Sequence, residues 1–178
     1  MPHPAEFDDL PLETLEEANG EFHRRITVAL RHIGEPRADD RDHEGRTPRE
    51  RVAALAALLE LTATTCAAVT AGGAAPDMRL DQHPATVAAL MYAAPSLSAL
   101  VTRIEQDRRL VAAYARRLEP RFFERPRSAW GHEPLRAVLS EAMLVEPARC
   151  AQALERVLAD LDAAERRAME AAAADREG

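Results

Sequence analysis

Apolar residues recur along much of this chain at alternating steps of three and four, the spacing that lines one face of an α-helix. The clearest run extends from Thr47 to Ala71, where Val52, Leu55, Leu59, Thr62, Cys66 and Val69 form a seam that Leu58 and Leu61 widen. Four residues write its start. Thr47 is placed as N-cap, Pro48 takes the first helical position, where a missing N–H costs nothing, and Glu50 stands where a capping box requires it. Gly72 and Gly73 supply the stop.

Before this helix, Leu12, Leu15, Phe22, Ile26, Leu30 and Ile33 mark an earlier one that ends near Gly34, with Asp8 or Asp9 as its cap and Pro11 in its first turn. Its charges run from Glu13, Glu16 and Glu17 to Arg24, Arg25 and Arg31, acidic then basic as the helix dipole favours. After it, His83-Pro84 opens a shorter helix through Val87, Leu90 and Met91. Pro95 interrupts the pattern, and Ser96 caps a further run of Leu97, Val101, Ile104, Val111, Ala115 and Leu118 up to Pro120; one long helix kinked at Pro95 is the alternative. The segment from Pro120 to Pro134, holding Phe122, Phe123 and Trp130, reads as an ordered but irregular linker. Leu135, Val138, Leu139 and Met143 then begin a helix that Glu146-Pro147 is expected to break or kink. A last helix carries Cys150, Leu154, Val157 and Leu161 and fades from Arg166.

These elements predict an all-α protein, an irregular antiparallel bundle of about five to seven helices. Residues 1–9 are expected to form a disordered lead-in, 10–174 a single helical domain and 175–178 a frayed tail. Composition agrees: Ala, Leu, Arg and Glu dominate, and aromatic residues make up only 4% of the 178. Every Lys+Arg residue is Arg, which reads as bacterial-type GC-rich coding before it reads as chemistry. Cys66 and Cys150 fall on predicted buried faces, and residues 1–10 show no charged-then-apolar leader, so the expectation is a cytoplasmic protein with reduced thiols.

Charge changes the picture in two places. The net value of −7 disfavours a general nucleic-acid or membrane binder. Against that trend, residues 103–127 hold eight arginines and four acids. Arg103, Arg108, Arg109, Arg116, Arg117 and Arg121, followed by Phe122, Phe123 and Trp130, form the candidate contact surface, for an acidic protein face in the bundle or a second copy, or for nucleic acid as the alternative.

The second place is the polar loop at 39–45. From Asp40 it reads D-x-D-x-E-G, with Asp40, Asp42 and Glu44 at alternate positions and Gly45 for a sharp turn. It resembles the first half of an EF-hand calcium loop, and the resemblance implies a weak divalent-ion site. The last position of that loop, where the family places a bidentate glutamate, is Arg51 here. The run Glu13, Glu16, Glu17, Glu21 resembles the carboxylate helix of all-α nucleotide pyrophosphohydrolases, but no second acidic motif faces it in the sequence. No phosphate loop, G-x-S-x-G, H-E-x-x-H or Cys–His motif is present. The expected function is a non-enzymatic helical interaction or regulatory module, with a protein partner or a dimer of the chain itself, no membrane association and no cofactor beyond weak calcium.

Overall fold

The computed structural model describes residues 10–73, 76, 79–123 and 134–177. Its elements are helices: α1 (Leu12–Ile33), α2 (Pro48–Thr70), α3 (Pro84–Ala93), α4 (Leu97–Ala115), a single turn α5 (Pro120–Phe123), α6 (Leu135–Ser140) and α7 (Glu146–Glu177). No strand occurs among the described residues, and the fold is an all-α bundle. One connected cluster of buried side chains draws on α1, α2, α4, α6 and α7.

The ends of α2 follow the local rules closely. Thr47 Oγ1 accepts from the Glu50 N–H, and Glu50 returns the bond to the Thr47 N–H at 2.9 Å. At the other end Gly72 adopts φ 72°, with Gly73 N–H bonded to Ala68 O and Gly72 N–H to Val69 O, a Schellman closure. What the seam understates is how central the helix is. Besides the seam, Ala53, Ala56, Ala57, Leu58, Leu61, Ala63 and Thr65 are buried, so α2 is enclosed on nearly every side. Thr62 and Thr65 tolerate this because each hydroxyl donates to the carbonyl four residues back, both at 2.8 Å. The helix is long and apolar enough to cross a membrane, yet 72% of that apolar window is buried inside the bundle.

Helix α1 starts at Leu12 behind Pro11 with no side-chain cap, and Asp8 and Asp9 lie outside the described residues. Of the two readings around Pro95, separate helices hold: the chain turns through 110° between α3 and α4, and the Ser96 side chain caps the second. The residues 1–9, 124–133 and 178, including Trp130, lie outside the described residues.

At Glu146-Pro147 the break that the sequence offered as one outcome is absent, and the local distortion takes the form of a π turn. Helix α6 runs through this turn, Glu141–Val145, directly into α7, which stays helical to Glu177. A proline inside an α-helix clashes with the carbonyl four residues back and cannot donate to it. Here the wider π turn lies immediately before Pro147, and the carbonyl deprived of its donor, Met143 O, accepts instead from Asn19 Nδ2 of α1 at 2.9 Å. A side chain on another helix completes the hydrogen bonding that the local sequence leaves open.

Candidate functional site: the outer face of α3 and the adjoining cleft

Most charged side chains of the bundle face one another. On α4, Arg103 pairs with Glu60 of α2 at 2.9 Å and with Asp107 at 2.7 Å. Arg108 and Arg109 both pair with Glu105, which also lies 3.1 Å from His23 Nε2 of α1. Arg116 pairs with Glu16 of α1, and Arg121 pairs with Glu119 and lies over the Phe122 ring. Arg117 is exposed. The basic stretch therefore meets acids of α1, α2 and its own helix, while Arg125, Arg127 and Trp130 fall outside the described residues. Elsewhere Arg25 forms a bidentate pair with Glu155 at 2.8 and 2.7 Å, fastening α1 to α7.

The acidic loop is organised by an internal cation. Arg51 hydrogen-bonds Asp42 through Nε at 2.8 Å and Glu44 at 2.7 Å, so the guanidinium from the last position of the EF-hand-like segment sits on two of its carboxylates. Asp42 also accepts the backbone N–H groups of Glu44 and Arg46. The Asp40 side chain is exposed, and among the described residues no group of three or more His, Cys, Asp or Glu side chains is placed to hold a metal ion. The first-helix acids are likewise divided, Glu16 to Arg116 and Glu21 to Arg24.

Two charged residues, Arg49 in the first turn of α2 and Glu35 after α1, position the α3–α4 corner. Arg49 binds Asp39, Glu35 and, at 2.6 Å, the Pro95 carbonyl. Glu35 in turn accepts the Leu97 N–H at 2.5 Å, adding a second cap to α4. No local signal announces a contact 62 residues away in the chain.

The pKa shifts follow from these arrangements. Asp42 loses solvation on burial, but the Arg51 hydrogen bond and those of Arg46 and Glu44 N–H outweigh that and hold it below 3.8; the Arg51 hydrogen bond also holds Glu44 below 4.5. Carboxylates whose folded pKa is depressed contribute stability above the unfolded values and lose it as pH falls through the folded ones. Replacing Arg51 by Met is therefore expected to lower the melting temperature at neutral pH. In melting curves recorded against pH, the gap between the two proteins should narrow as the pH falls below about 4. A gap that stays constant would show that the loss is one of packing. His23 is also held below 6.5, by burial first, while Glu105 opposes the shift. Burial pushes the Cys150 thiol up to about 12, and both cysteines are buried and free.

Helix α3 is the exception to this economy of charge. Pro84–Ala93 contains no charged side chain, yet none of its residues is buried. Val87, Leu90 and Met91 pack partly on the core, whereas Ala85, Ala89 and Tyr92 share the outward face and Ala88 lies at the edge toward the cleft. Tyr92 is 89% exposed, and Leu80, just before the helix, is 41% exposed. On the inner side of α3 a cleft of about 760 Å³ opens toward α2 and α7. Comparison with protein-family models, with curated proteins and with solved structures finds no match.

Proposed function

We propose that this chain is a non-enzymatic helical interaction module that docks on a second copy of itself through the outer face of α3. One observation carries the reading: the only helix of more than one turn without a charged side chain among the described residues is also one that buries none of its residues in the bundle. A surface helix normally turns charged or polar residues outward. An exposed helix that lacks them has a face suited to another protein.

A second copy is the occupant that fits. The face offers no charge for an acidic or basic partner to pair with, so complementarity has to be of shape. In a two-fold antiparallel contact, the Tyr92 of each copy meets the small Ala85 and Ala89 of the other, which makes the patch complementary to itself. A ten-residue helix is short of the roughly 800 Å² per partner that a stable interface buries, so the association should be weak and dependent on concentration.

Sedimentation velocity over a concentration series tests this. The wild-type chain should shift toward a dimer as concentration rises, and Ala89→Arg, which adds a charge to the face while keeping helix propensity, should remain monomeric. A wild-type monomer at the highest attainable concentration, or a variant that associates as readily, overturns the proposal.

A further inference from the structure

The cleft between α2, α3 and α7 combines two chemistries. Its floor is aliphatic, with Leu58 of α2 and Val87 and Met91 of α3, and its rim carries guanidinium groups. Its volume, about 760 Å³, lies within the range of small-molecule sites. Three rim arginines are already engaged: Arg51 by Asp42 and Glu44, Arg79 by Asp81 and Glu141 at 2.7 and 2.9 Å, and Arg149 by Glu146. The acids that face the cleft are consumed in the same pairs, and Glu50 by its capping box. Arg46 and Arg156 differ from these. Arg46 makes no ion pair among the described residues, and Arg156 has only a long one, to Glu44 at 3.9 Å, beyond hydrogen-bond length and to a carboxylate already held by Arg51.

We infer that this cleft binds a small anionic amphiphile, its carboxylate or phosphate head on Arg46 and Arg156 and its alkyl chain on Leu58, Val87 and Met91. A guanidinium without a fixed partner is suited to a planar or tetrahedral oxyanion, which it can hold through two hydrogen bonds. Among the described residues no aromatic side chain lines the cleft, so they offer no stacking platform for a base. The net charge of −7 also opposes a polyanion, whereas a single head group needs only the local arginines. This site is on the inner side of α3 and does not depend on the docking of its outer face.

Isothermal titration of the full chain with sodium decanoate, below its micelle concentration, is the test. The expected result is saturable binding of one molecule per chain, weakened by about tenfold or more in Arg46→Glu with Arg156→Glu. Both substitutions lie on the exposed rim, and the melting temperature of the double variant verifies its fold. Decyl phosphate should bind at the same site, and decyltrimethylammonium should not. Co-sedimentation with phosphatidylglycerol vesicles separates the sources: a free amphiphile is supported when the protein stays in solution, and the inference is overturned when it pellets and the double variant does not. Absence of saturable heat, equal affinity in the variant or equal binding of the cation would each overturn it as well.

Discussion

Leu59→Ala is expected to lower the free energy of unfolding by about 2–5 kcal/mol. Leu59 stands at the middle of α2 with no solvent exposure, and neighbouring helices enclose α2 on nearly every side. Removing its isobutyl group forfeits the transfer free energy of those carbons and leaves a cavity that close-packed neighbours fill only in part. Urea unfolding of the two proteins gives the difference directly, with an unchanged slope expected because the exposed surface hardly changes. Val28→Ala on α1, where the side chain is 45% exposed, removes the same kind of surface without the enclosure and should fall within about 0.5 kcal/mol of wild type. Equal losses at the two positions would contradict α2 as the centre of the core.

Asn19→Ala should cost roughly 1–3 kcal/mol, because it leaves a buried carbonyl without a donor. Asn19 is 3% exposed and donates to Met143 O, the carbonyl whose helical partner Pro147 cannot supply. A proline in the middle of a long helix and an asparagine 124 residues distant in sequence from its acceptor are therefore two parts of one arrangement. It follows that the two positions are coupled. In a Pro147→Ala background position 147 regains an N–H, and Asn19→Ala should then cost less than it does alone; additive losses in the double-mutant cycle would sink this explanation.

What the sequence revealed and what it hid divide along the distance of the interactions. The Thr47–Glu50 box, the Gly72–Gly73 stop and the Ser96 cap are each decided within a few residues, so both ends of α2 and the corner at Pro95 are legible in the chain itself. The π turn was hidden because the rule that a proline breaks a helix is local, whereas the donor that rescues Met143 O comes from α1. The role of Glu35 at the start of α4 was hidden for the same reason. Of the basic stretch, Arg103, Arg108 and Arg109 fall on α4, and two of the acids that meet the stretch, Glu16 and Glu60, reside on other helices where no spacing predicts them. The outward face of α3 could have been suspected from PATVAALMYA, ten residues without a charge, had that run been weighed against the other helices for what it lacks.

The central proposal is that an apolar core centred on α2 holds this bundle together while the uncharged face of α3 docks on another copy. Hydrogen exchange followed peptide by peptide, at low and at high protein concentration, tests it most directly, since association slows exchange where the contact forms. The account predicts slower exchange at high concentration for the peptide covering 84–93 and little change along α1, α2 and α7. Exchange that is indifferent to concentration everywhere, or protection confined to the arginine-bearing surface of α4, would contradict it.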